Sequence, residues 1–156
     1  MTYLIEGLDP ADFASLFRMS DAELAEQGIH ASLAVEGAAP CRISLRDAAA
    51  GDRLLLLNYM HLPARSPYRS RHAIYVAEGS REPGVYRGSI PPMMQTRSLS
   101  VRAFDSDDMI IDAYVVDGSA AEPVIERLLA MPETAYLHVH FAKRGCFAAT
   151  VRRLEG

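Results

Sequence analysis

His138 and His140 stand two apart in the run Tyr136-Leu137-His138-Val139-His140-Phe141. In an extended strand that spacing puts both imidazoles on one face. Leu137, Val139 and Phe141 then share the other face, which the pattern assigns to the core, so the histidine face is expected to be the wetter one. Two imidazoles so placed can bind one transition metal ion. A thiolate or a third imidazole from a neighbouring strand would complete an open site, and Cys146, His61 and His72 are the candidates. The competing reading is two polar residues on a solvated strand face, because this spacing is far less specific than a full zinc pattern.

Cys146 follows Lys143, Arg144 and Gly145. Local positive charge favours the nucleophilic thiolate, with His72, His138 or His140 as the base and backbone N–H groups as oxyanion donors. Against this, Cys146 alternates with Phe147 and could simply open a buried strand. Cys41 shares a face with Ile43 and Leu45 and is expected to pack as a small hydrophobe.

A third constellation is cationic. Arg65, Arg69 and Arg71 flank Tyr68 and His72. Arg42 and Arg46 are expected on the polar face of a strand, with Arg102 on another and Arg144 beside the thiol. Planar guanidinium groups match carboxylate or phosphate at two points. The expected pocket is ringed by Arg42, Tyr68, Arg69, His72, Arg102, His138 and His140, with Asn58 and Tyr59 ending the most hydrophobic strand. The plainer alternative pairs these arginines with Asp105, Asp107, Asp108, Asp112 and Asp117 at the surface, where each pair contributes about 0–1 kcal/mol. His72, at the border of a core, is expected to bond Asp112 or Asp117.

The elements that would hold these groups can be read along the chain. Thr2 to Glu6 reads as a strand. Asp9 caps a helix with Pro10 at its first position, and Phe13, Leu16 and Phe17 form its apolar stripe. Ser20 and Glu23 spell a capping box for a second short helix ended by Gly28. Cys41, Ile43 and Leu45 alternate with Arg42, Ser44 and Arg46, the pattern of a half-buried strand. Leu54 to Leu57 is a continuous apolar run, expected in a strand covered on both faces and continuing to His61. Pro63 to Arg71 reads as a loop, His72 to Ala77 as a strand and Glu78 to Pro92 as a second long loop. Met93 to Arg97 would form a helical turn, its methionines filling core.

Ser98 to Phe104 and Met109 to Val116 flank the acidic turn Asp105 to Asp108 as a hairpin. Ser119 and Glu122 spell another capping box, for a helix whose stripe is Val124, Ile125, Leu128 and Leu129. Ala135 to Phe141 and Phe147 to Arg153 form a final hairpin turning at Gly145. The pattern predicts an α+β single domain over residues 1–156, with a mainly antiparallel sheet of about eight strands, a C-terminal amphipathic helix and two short N-terminal helices.

Several of these segments carry a family resemblance: Pro40-Cys41-Arg42-Ile43-Ser44-Leu45-Arg46-Asp47, Leu55-Leu56-Leu57-Asn58-Tyr59, Ser66-Pro67-Tyr68-Arg69, His72-Ala73-Ile74-Tyr75-Val76, Arg102-Ala103-Phe104-Asp105, Val116-Asp117-Gly118, and Tyr136 through His140 with Arg144 through Ala148. Spread over nearly the whole chain, they make it resemble an uncharacterised bacterial family, domain of unknown function 1203. The resemblance implies one domain and carries no activity.

Composition excludes several classes. The 156 residues are 49% hydrophobic and 23% charged, ordinary for a globular protein. A net charge of -4 speaks against general nucleic-acid binding. No apolar run approaches the roughly 20 residues that cross a bilayer, and no secretory leader is apparent, so a cytoplasmic protein with reduced thiols is expected. Walker A, dinucleotide-glycine, HExxH and GxSxG signatures are absent.

Three readings stand. The first is a module binding a small anionic ligand in an Arg/His-lined pocket. The second is a thiol-dependent enzyme, or a metal-dependent one with a transition metal ion on His138 and His140. The third is a structural protein or homodimer without ligand.

Overall fold

The computed structural model describes residues 2–155. Among these residues nine strands form two sheets. The larger runs in the order β5-β1-β9-β8-β6-β7 and the smaller β2-β3-β4. The large sheet comprises β1 (Tyr3–Glu6), β5 (Val85–Arg87), β6 (Ser98–Phe104), β7 (Ile110–Asp117), β8 (Tyr136–Phe141) and β9 (Phe147–Arg153), all paired antiparallel. The small sheet holds β2 (His30–Leu33), β3 (Arg53–Leu62) and β4 (Ser70–Ala77), also antiparallel. The fold is therefore α+β and mostly antiparallel, as the strand-rich middle of the sequence implied. The strands are divided between two sheets, where one was expected, and the loop over 78–92 contains β5.

Each sheet has its own core. Helix α4 (Ala121–Ala130) lays Ile125, Leu128 and Leu129 on Leu99, Val101, Leu137, Val139 and Val151 of the large sheet. Burying one such side chain stabilises by roughly 1.5–3 kcal/mol. Met93 and Met94, on α3 (Pro92–Gln95), are fully buried in the same core. The second core gathers Phe13, Leu24, Cys41, Ile43, Leu54, Leu55, Ile74 and Val76, under α1 (Ala14–Phe17) and α2 (Asp21–Glu26). No helix among the described residues is long and apolar enough to cross a membrane.

Local signals succeed where their own partners decide the outcome. Asp9 caps the 3-10 turn Pro10–Phe13 through Ala11 N–H, and the Ser20/Glu23 capping box forms in both directions. Two expectations fail. The Ser119/Glu122 box does not form: a 3-10 turn, Gly118–Ala120, leads into α4 without a side-chain cap. Gly118 lies so close to the backbone that a Cβ there would meet the Met94 carbonyl oxygen at 1.6 Å, so packing sets this helix start.

The alternating segment 41–46 is not a strand. It is a tight turn closed by the Cys41 N–H to Arg46 carbonyl bond, with Leu45 at φ 60. Its backbone is claimed by three separate segments. Leu8 N–H donates to the Arg42 carbonyl, Arg42 N–H to the Tyr75 carbonyl and Gly84 N–H to the Ile43 carbonyl. Arg42 consequently sits inside the protein instead of on a polar strand face.

Candidate functional site

Polar chemistry concentrates around the β8–β9 hairpin. The two strands pair regularly until a one-residue shift between Val139 and His140, where His140 comes opposite Phe147. Such a bulge re-aims the side chains beyond it. Here it turns Phe147 toward the histidine face while Ala148 and Ala149 stay in the core. Gly145, at φ 79, closes the turn in a conformation that side chains resist. Its carbonyl lies 2.8 Å from His140 Nδ1. Only Nδ1–H can donate there, which leaves Nε2 with its lone pair.

On one side of this hairpin lies a cavity of about 540 Å³, lined by Arg42, Tyr75, Arg97, Lys143, Arg144 and Cys146, with His72, Ser98 and Phe141 among the other walls. Small-molecule sites typically occupy roughly 300–1,000 Å³. Four of its side chains are cationic and none is a carboxylate. Arg97 is balanced by Asp47, whose Oδ1 is 2.8 Å from Nη2 as an ion contact without hydrogen-bond alignment. Arg42 has no such balance among the described residues. It is only 1% exposed. Its Nε donates to the Phe147 carbonyl at 2.7 Å and its Nη1 to the Pro40 carbonyl at 2.6 Å. Its guanidinium lies 4.9 Å from the centre of the Phe141 ring, and that of Arg97 at 5.4 Å.

Carbonyls satisfy N–H groups without cancelling the charge. An ion held this way retains a desolvation cost of several kcal/mol. Burial accordingly lowers the Arg42 pKa, and the groups opposing that shift are the two thiols, Cys146 ahead of Cys41. A guanidinium nevertheless stays protonated in proteins.

Between the two sheets, near the His72 wall of the cavity, is a histidine cluster. His61 of β3 meets His138 and His140 of β8, with ring centres 6.0 and 5.0 Å away. Phe147 stacks on His61 at 5.2 Å. Phe104 and Tyr136 pack on His138 from the side of Arg102. The wetter face expected for this pair is corrected: His138 and His140 are 4% and 3% exposed, because the small sheet covers them. Burial first, then neighbouring imidazoles and Arg102, pushes His138 down to about 3; burial and Arg102 bring His61 and His140 to about 4. All three are neutral at pH 7, and Nδ1 of His61 and of His138 is buried without a hydrogen-bond partner.

Of the residues singled out in the sequence, Arg42, His72, Arg144 and Cys146 line the cavity, and His138 and His140 join His61 in the cluster. The others lie outside the cavity lining, with Arg102 the cross-strand neighbour of His138. Asn58 lines a separate shallow recess and accepts a hydrogen bond from Arg71. Tyr59 packs between Phe13 and Phe147. Tyr68 meets Phe104 edge-on, Arg69 donates to the Pro63 carbonyl and Arg102 to Ser100 Oγ. The expected pairing with Asp105, Asp107, Asp108, Asp112 and Asp117 is not found: the ion pairs among the described residues are Arg53 with Asp21 and Glu78, and Arg97 with Asp47. His72 Nδ1 contacts the Ala73 carbonyl instead of an aspartate.

Among the described residues, no group of three His, Cys, Asp or Glu is arranged to hold a metal ion. The metal reading gains a third imidazole, His61, without a point where three donors meet. The thiol reading has no hydrogen bond between Cys146 and an imidazole among the described residues. Nothing in the sequence pattern singles out Arg97, Tyr75 or Phe141 as cavity residues. Lys143 and Arg144 were legible as neighbours of the thiol, but nothing local marks Arg97 as their companion.

The fold and site define an α+β protein with a basic, thiol-bearing cavity beside the seam of two antiparallel sheets. The chain belongs to the family described as Protein of unknown function (DUF1203), which it matches over residues 38–153. That span includes Arg42, His61, His72, His138, His140 and Cys146. Neither the curated proteins nor the solved structures yield a match.

Proposed function

We propose that the protein binds a small anion, bearing phosphate or carboxylate groups, in the cavity between Arg42, Lys143 and Arg144. One observation carries this reading. Arg42 is buried, is paired with no carboxylate among the described residues, and forms part of the wall of a cavity with three further cations and no acid. An anion entering there gains charge-assisted, two-point hydrogen bonds and offsets the desolvation already suffered by the guanidinium. Phe141 gives the cationic groups an aromatic face that holds them in place without neutralising them.

Thermal denaturation across a panel of anions tests the reading. Pyrophosphate, citrate and sugar phosphates are compared with matched ionic strengths of chloride. A ligand at 100 times its dissociation constant adds about 2.7 kcal/mol of stability. The expected result is a saturable rise in Tm with at least one polyanion and none with a neutral sugar. Equal shifts with chloride and polyanions would refute specific binding.

A further inference from the structure

Among the described residues lining the cavity, one carries a thiol. Cys146 closes the Ala142–Cys146 turn, is 9% exposed and contributes to the cavity wall beside Lys143, Arg144 and Arg42. Cys41, the other free thiol, is fully buried in the second core. It is occupied there, contacting Ser80 Oγ at 3.3 Å and accepting from Ala77 N–H. The molecule thus offers one thiol to an open volume and keeps one shut in. The second observation is Arg42, a side chain more than nine-tenths buried that helps wall this volume and has no carboxylate partner among the described residues.

A thiol in such surroundings selects its reagents by charge. Positive potential in a concave wall raises the local concentration of anions and lowers that of cations. We propose that Cys146 is a thiol–disulfide exchange site selective for anionic disulfides, and that the adduct switches anion binding off. The second half rests on the functional reading above, since the adduct's carboxylates would take the place of the free ligand. The step is balanced. Cys146 gives its proton to solvent and its sulfur attacks one sulfur of R–S–S–R. The old S–S bond breaks as Cys146–S–S–R forms, and RS⁻ leaves and takes up a proton. The disulfide is the oxidant, and the added R group lies within reach of Lys143 and Arg144.

The test uses the full chain with oxidised glutathione, an anionic disulfide, and cystamine, a cationic one. Adducts are mapped by mass spectrometry, and each rate is divided by that disulfide's rate with 2-mercaptoethanol. The expected result is a single adduct on Cys146, with the normalised rate about tenfold higher for oxidised glutathione at low salt. That advantage should shrink in 0.5 M sodium chloride, as screening over a Debye length of a few ångströms requires, and in Lys143→Gln/Arg144→Gln. Cys41 should stay unlabelled until the protein unfolds. The adduct should abolish the pyrophosphate-induced rise in Tm, and dithiothreitol should restore it.

No adduct, an adduct on Cys41 in folded protein, or equal normalised rates for the two disulfides would overturn the exchange site. A wild-type protein that shows no polyanion-induced rise in Tm yet retains charge-selective labelling would instead refute the functional reading and the switch, leaving the exchange site standing.

Discussion

The cavity and the histidine cluster share one hairpin and treat polarity in opposite ways. Phe147 serves both: its carbonyl accepts from Arg42 and its ring stacks on His61. Gly145 bonds His140 from a turn whose neighbours, Arg144 and Cys146, line the cavity. In the cavity the charge cannot be discharged, because guanidinium groups do not titrate in the working range. On the proposed reading it is resolved by bringing an anion in. In the cluster the charge is removed, because an imidazole can lose its proton. The same hairpin therefore builds a basic cavity wall and a neutral packing contact.

The sharpest separation of the two regions is acid. The folded-state pKa values of His61, His138 and His140, about 4, 3 and 4, lie below the unfolded value near 6.5. Between these limits the unfolded chain binds more protons, so stability is complete above pH 6.5 and lost as pH falls toward 4. The loss from His138 and His140 together should be on the order of several kcal/mol, as expected for buried groups with shifts of this size. Urea unfolding from pH 7 to pH 4 measures it. His138→Phe, which removes an orphaned nitrogen from an aromatic cluster, should flatten that decline without weakening anion binding at pH 7. An unchanged pH profile in this variant would contradict the account of the cluster.

Next in size is Arg42→Met. Loss of two-point, charge-assisted contact should weaken polyanion affinity at least tenfold, with the acid decline unaltered. Isothermal titration at pH 7 measures the first effect. Third, the thiols should differ: Cys41→Ala, in a filled core, should cost about 1–2 kcal/mol, and Cys146→Ala, on a cavity wall, well under 1 kcal/mol. Smallest is Lys143→Gln. Lys143 is solvent-exposed, and its removal should weaken anion affinity about two- to fivefold and reduce its salt dependence.

Sequence legibility followed the range of the interactions. Asp9 and Ser20 find their partners within three residues, so those helix starts could be read directly. The face shared by His138 and His140 follows from strand period alone. Its burial does not, because the cover comes from His61 on another sheet. Segment 41–46 mimics a strand in its alternation, yet its backbone answers to Leu8, Tyr75 and Gly84. The chemistry of Arg42 therefore marks it as an anion-binding candidate, while the alternation around it points to the wrong kind of structure. Arg97 became a cavity residue through tertiary contact with Phe141, and no local pattern announces that.

The most direct measurement is titration of pyrophosphate into wild-type protein, Arg42→Met and Lys143→Gln at pH 7 and 0.15 M salt, with folding of each checked by circular dichroism. Saturable binding to wild type, at least tenfold weaker in Arg42→Met and two- to fivefold weaker in Lys143→Gln, is the expected result. Equal affinity in folded Arg42→Met and wild type would show that the buried guanidinium is not what the anion meets.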